Sequence, residues 1–236
     1  MKTVVIINIS ASKVTELQME IKGIKFAYTS GKEIMGQLKL FMMLLGCRSK
    51  GRYIEQHDIF FGIGKQLKDV IPAIKEFWPE AGGEIHIDAW REINCVDGFA
   101  ITVEETGIIQ NITGNNNKES DLFFINLGGY KEDEFEEFHY KMLVVADNIG
   151  AAKSKAKKTA FFKHTSLSNS VNTRSATSHI DDKYGIDADD MYVVKDILPA
   201  DLKEKYTLRI SSNTSCKPDE YHLGYLRLKD LYTNLA

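Results

Sequence analysis

Apolar and polar positions follow one another in the same order in two stretches of this chain. In the first stretch, residues 39–45 form an apolar run of strand length. The polar stretch GCRSKGRYIEQ follows, and a second apolar run extends from His57 to Ile63. Leu67, Val70, Ile71, Ile74 and Phe77 then recur at the spacing of one buried helical face. Pro72 fits that helix if Asp69 caps it, because the ring then lies in the first turn, where no N–H partner exists. Pro79 ends the helix. Residues 85–93 predict a third strand and residues 99–103 a fourth. Between them Val96-Asp97-Gly98 makes a tight turn, since Gly98 accepts positive φ.

The second stretch repeats this pattern. LFMMLLG from Leu40 aligns with LFFINLG from Leu122, an offset of 82 positions. The same offset carries Glu55 and His57 onto Glu137 and His139, IFFGIG onto KMLVVA, and the helix onto GAAKSKAKKTAF. His86-Ile87-Asp88 recurs as His179-Ile180-Asp181 at an offset of 93, with the extra residues in the Ser/Asn-rich TSLSNSVNTRSA. Asp97 then falls on Asp190, and Phe99 on Tyr192. The expected fold is α+β: two tandem ββαββ modules, each a sheet under one helix, packed as a pseudo-dimer because a module this small buries little core alone.

The expected boundaries are an N-terminal extension (1–36), a first module (37–106), a linker (107–120), a second module (121–198), and a C-terminal helix with strands (199–236). The run TVVIINI near the N-terminus reads as a strand. A rival reading starts the native chain at Met35. PADLKEKY reads as a short helix, and YTLRIS and YHLGYLRL as strands.

The segments LFMMLLGCRSKGRYIEQHDIFFGIG, LKDVIPAIKEFWPEA, HIDAWREI and VDGFAITV resemble the bacterial domain-of-unknown-function family 1543, which occurs as one or two copies per chain. The resemblance is close over 39–103 and weaker over 121–197, where Lys183 stands for Trp90 and Met191 for Gly98. It implies a small cytoplasmic bacterial protein without an assigned activity.

Composition narrows the function classes. The chain has 236 residues, 43% hydrophobic and 27% charged, with a formal net charge of −3. That balance suits a globular protein and offers no global basic field for nucleic acid. No apolar stretch approaches the roughly 20 residues of a membrane-spanning helix. Three unpatterned cysteines, Cys47, Cys95 and Cys216, argue against a disulfide framework and suit a reducing cytoplasm.

The candidate chemistry lies in the repeated pairs. Residues i and i+2 of a strand share a face, so Glu55 projects with His57, and His86 with Asp88 beside Trp90. Their counterparts are Glu137, His139, His179 and Asp181. Imidazole beside carboxylate serves three ends: a register-fixing network, acid–base work, or metal ligation. The spacing alone assigns no metal ligand and no cofactor. Arg48 and Arg52 in the loop CRSKGR add a candidate anion contact. The leading expectation is a cytoplasmic small-ligand-binding or interaction protein. The alternatives are a small His/carboxylate enzyme, acid–base or metal-dependent, and a nucleic-acid binder using the Arg48–Arg52 loop and the lysines of residues 153–158.

Overall fold

The strand β3 (Lys39–Cys47) is apolar on both faces because both are covered. In the computed structural model, which describes residues 17–21, 24–28, 37–106, 120–130, 135–165 and 187–233, two units separate, Met1–Gln37 and Leu38–Ala236. In the first unit β1 (Leu17–Ile21) pairs antiparallel with β2 (Ile24–Tyr28). The strand expected at TVVIINI lies outside the described residues.

The second unit has β3, β4 (Gln56–Gly64), α1 (Ile71–Phe77), β5 (His86–Ile93), β6 (Cys95–Val96) and β7 (Phe99–Glu105). Then come β8 (Asp121–Tyr130), β9 (Glu137–Ala146), α2 (Ile149–Thr165), β10 (Asp187–Val193), β11 (Tyr206–Ser212) and β12 (His222–Arg227). One sheet has the order β12-β5-β3-β4, a second β10-β8-β9, and a small third β11-β7-β6. All the pairings are antiparallel.

The two larger sheets face one another across a shared core that includes Met42, Phe61, Ile63, Leu122, Phe124 and Leu143. The opposite face of the first sheet packs Phe41, Met43, Leu45 and Phe60 against Ile71 and Ile74 of α1. The outer face of the second packs Phe123, Ile125 and Leu127 against Ala152 and Ala156 of α2. Each large apolar side chain so buried contributes about 1.5–3 kcal/mol. The small alanines let α2 approach its sheet closely.

The expected helix is split. Residues Leu67–Val70 form a 3-10 turn, and α1 begins only at Ile71 with Pro72 in its first turn. Asp69 caps the earlier turn, accepting from the backbone N–H groups of Lys65 and Gln66. Pro72 is therefore tolerated without Asp69 as the cap of α1 itself.

Segments of ββαββ type recur in both halves. Leu40 pairs with Ile63, and Leu122 with Val145, so the 82-residue offset holds in the hydrogen-bonded register as well as in the sequence. The third strand breaks the expected alignment. The strand beside β8 is β10, in which Ala188 faces Leu127 and Met191 faces Ile125. The matching places in the first sheet are Ile87 facing Leu45 and Trp90 facing Met43. The structural offset of the third strands is thus 101, not 93. Asp190 takes the place of Ala89 rather than Asp97, and Tyr192 lies in a third strand rather than a fourth. A shared triplet had set the expected alignment, whereas pairing with the central strand sets the register. His179 and Asp181 lie outside the described residues.

The cysteine expectation is also corrected. Cys95 and Cys216 form a disulfide across a sequence separation of 121. Cys47 is a buried core residue.

Candidate functional site: a histidine–carboxylate cluster over Gly46

Three neighbouring strands bring the cluster together. Gly46 on β3 is the register partner of His57 on β4 and of His86 on β5. The two imidazoles therefore flank a position without a side chain. A Cβ at Gly46 would collide with Asp88 Oδ2 and His86 Nε2, so the glycine makes the room that the cluster fills. Glu55 arrives from the loop before β4. Arg48 braces that loop by donating to the Tyr53 carbonyl at 2.5 Å, and Arg52 donates its backbone N–H to the Ser49 carbonyl. Arg48 thus closes the turn, and neither arginine has a contact with the cluster among those described.

A β-bulge decides what Asp88 and Trp90 do. Ile87 faces Leu45 and Ala89 faces Leu44, which leaves Asp88 as the extra residue. From there on the alternation of β5 is reversed. Trp90 falls on the α1 side, packs near Phe41 with ring centroids 6.3 Å apart, and stacks on His222 at 3.9 Å. The expectation that Trp90 stands beside His86 and Asp88 assumed an unbroken alternation. Tyr225, which the sequence reading missed, lies against the His86 ring instead, at 4.3 Å between centroids. It sits where β12 is itself bulged, between Leu223 and Leu226. No local signal in the sequence pointed to it.

Glu55 and Asp88 each bridge both histidines. His86 Nε2 is 3.1 Å from Glu55 Oε1 and 3.3 Å from Asp88 Oδ1. His57 Nε2 is 3.5 Å from Glu55 Oε2 and 3.4 Å from Asp88 Oδ2. The His86 side chain is 7% exposed, while His57 and Glu55 are open to solvent. Glu55, His86 and Asp88 offer donor atoms that all lie within 4.8 Å of one another. These are ion-pair distances, yet His86 Nε2 and Asp88 Oδ2 are buried without a hydrogen-bond partner, because the approach angles are wrong.

The second half is built differently. His139 is the register partner of Gly128, as His57 is of Gly46. Glu137 Oε2 is 3.9 Å from His139 Nε2. Asn126 contacts His139 Nδ1 at 3.2 Å and donates to Asp190 at 3.3 Å. Tyr192 donates to Asp190 at 3.4 Å. The structural offset puts Asp187 at the place of His86, so no histidine holds the third-strand position here.

A cavity of about 1010 Å³ runs along the β4 edge between the sheets. Glu55, His57, Glu137 and His139 line it, together with Ile59, Phe61 and Phe124. Lys141 also lines it, and burial holds the Lys141 ammonium below its usual range, with Asp58 pulling the other way.

The fold and the cluster define a mixed α+β protein with a histidine–carboxylate group able to hold a metal. Residues 52–103 match the Domain of Unknown Function (DUF1543) family. That match spans β4 to β7, including Glu55, His57, His86 and Asp88, and no second stretch of the chain is matched. No curated protein matches the chain. A solved structure, the crystal structure of a protein Il1583 from Idiomarina loihiensis, is similar with a TM-score of 0.50 and 24% sequence identity. The similarity covers 81% of this chain and 97% of that one, and it shows a shared fold. No helix among the described residues is long and apolar enough to cross a membrane.

Proposed function

We propose that this protein binds one divalent transition-metal ion, zinc foremost, between Glu55, His86 and Asp88, with His57 on the solvent side. The observation that carries this reading is the donor spacing. Zinc bonds to nitrogen and oxygen of about 2.0–2.2 Å require neighbouring ligands about 3.3–3.6 Å apart in a tetrahedron. His86 Nε2 lies 3.1 Å from Glu55 Oε1 and 3.3 Å from Asp88 Oδ1, close to that spacing, and the three donors all lie within 4.8 Å of one another. A purely hydrogen-bonded network accounts for them less well. Each Nε2 carries at most one proton but faces two carboxylate oxygens, and the most buried nitrogen has no aligned partner. A cation at the centre also offsets the repulsion of two carboxylates brought together. Mixed nitrogen and oxygen donors suit zinc or iron better than calcium or magnesium.

The exposed side of the cluster faces the cavity through Glu55 and His57. An ion held by Glu55, His86 and Asp88 with one position open would supply Lewis-acid chemistry towards water or a substrate atom, the chemistry of a metal-dependent enzyme. Equilibrium dialysis against zinc, followed by elemental analysis, tests the reading. The expected result is one equivalent per chain, with affinity lowered on the order of a hundredfold or more in His86→Ala and Asp88→Asn. Equal zinc retention by parent and both variants would end it.

We also propose that the two halves are duplicated modules packed as a pseudo-dimer. The common register at offset 82, the like strand orders and the bulges at Asp88 and between Ala188 and Asp190 support this. The next long strand after the third one in each half, β7 (past the two-residue β6) or β11, pairs antiparallel with the other, as halves related by a two-fold axis would pair. On this reading the second module runs on to Ser212, past the expected boundary at 198.

A further inference from the structure

We infer that the cavity between the sheets takes an elongated aliphatic amine. Its protonated amino end sits among Glu136, Glu137 and Asp190, its chain crosses an apolar floor of Leu44, Ile59 and Ile197, and its other end points to the Glu55–His57 side. This rests on the metal reading only for what meets that second end.

Charge is the first support. Glu55, Asp58, Glu136, Glu137 and Asp190 line the cavity, and among the described lining residues Lys141 is the only lysine or arginine. Burial already disfavours the Lys141 charge, and Asp58 is the carboxylate that offsets this. The surplus remains negative even with a divalent ion at Glu55. An anionic ligand would meet repulsion at both ends, whereas an ammonium group is attracted.

The floor supplies the second support. Leu44, Ile59 and Ile197 are half-buried and present the apolar surface, over the buried edge-to-face pair Phe61 and Phe124 at 5.7 Å. Such a surface favours methylenes over a compact inorganic cation.

Two exposed aromatic rings supply the third support. Tyr53 is 93% exposed and Phe135 is 111% exposed, each next in sequence to a lining residue, Ile54 or Glu136. They are 82 positions apart, the offset of the repeat. Aromatic faces attract ammonium groups. Acidic and apolar lining together complement a cation with a hydrocarbon body.

Isothermal titration of the full-length protein with cadaverine tests the inference, using zinc-free and zinc-loaded samples whose metal content has been measured separately. The neutral diol of the same length and glutarate serve as comparison ligands. Cadaverine should bind to the zinc-free protein, and the diol and glutarate at least about tenfold more weakly. Glu137→Gln and Asp190→Asn should each weaken cadaverine by about tenfold, and Tyr53→Leu by a few-fold. Thermal melts establish that these variants fold. Equal binding of the diol, tighter binding of glutarate, no heat with cadaverine at millimolar concentration, or unchanged affinity in both acidic-residue variants would overturn the inference. Zinc uptake without cadaverine binding removes the amine and leaves the metal. Cadaverine binding without zinc uptake does the reverse.

Discussion

The His57 corner of the first sheet and the His139 corner of the second begin from the same design. Each has an E-x-H pair where the edge strand begins and a glycine opposite the histidine on the central strand. They diverge at the third strand. In the first half β5 supplies His86 and the bulged Asp88, and four donors converge. In the second, Asn126 stands at the place of Leu44 and Asp190 at the place of Ala89, and they tie His139 and Tyr192 into a hydrogen-bonded chain. The first half is also the one fastened to the C-terminal segment. Asp219 accepts from the backbone N–H groups of Asn94 and Cys95, Arg91 donates to the Tyr221 hydroxyl at 2.8 Å, and Cys216 is bonded to Cys95. One pair of strands can therefore carry either a cluster of converging histidine and carboxylate donors or a hydrogen-bonded polar wall, and the third strand decides which.

The most severe way to break this contrast is Gly46→Val. A branched side chain there occupies the space of His86 Nε2 and Asp88 Oδ2, so zinc binding should be lost beyond a hundredfold, an effect of about 3 kcal/mol or more. A competition titration with a chromophoric chelator measures it. His139→Ala should leave the zinc affinity as it is. A shift there comparable to that of Gly46→Val would erase the distinction between the halves.

Next in size is the covalent tie of the first half. The double change Cys95→Ser, Cys216→Ser opens a link across a separation of 121 residues. It should cost about 2–4 kcal/mol in urea denaturation, because the unfolded chain regains the entropy of the closed loop. A midpoint unchanged from the oxidised parent would mean that the hydrogen bonds from Asn94 and Cys95 to Asp219, and from the Asn213 N–H to the Gly98 carbonyl, hold the segment by themselves.

A smaller effect sharpens the role of His57. It is half-exposed and lies outside the three donors that converge within 4.8 Å. His57→Ala should therefore lower zinc affinity by only about tenfold, against a hundredfold or more for His86→Ala. Equal losses would make His57 a full ligand.

The mildest prediction concerns pH. Burial raises the Asp219 carboxyl above its ordinary value of 3.8, and the hydrogen bonds from Asn94 and Cys95 and the charge of Arg91 oppose this less strongly. The folded chain then keeps this proton after the unfolded chain has released it. The group's contribution to stability is greatest below the ordinary value and falls as pH rises through the raised one. Asp219→Asn keeps an acceptor and removes the titration. Relative to the parent, its melting temperature should improve from the acid range towards neutrality. A difference that stays flat with pH would show that folding leaves the Asp219 carboxyl at its unfolded value.

Much of the fold was legible from the spacing of residues along the chain. Apolar runs at 39–45 and 57–63, the helical face from Leu67 to Phe77 and the 82-residue repeat all correspond to elements or registers in the structure. Glu55 does lie near His57 and His86 near Asp88, as their i, i+2 spacing suggests, although Glu55 stands in the loop before β4 and Asp88 in a bulge rather than on a regular strand face. The tertiary structure alone decided the rest. It set Asp88 out in a bulge, turned Trp90 to the far face, laid Tyr225 on His86, gave β10 the third-strand place and joined Cys95 to Cys216. Periodicity reports on neighbours a few positions away. Register, bulges and the pairing of distant segments arise from contacts between stretches that are far apart along the chain, whose energies no single stretch carries.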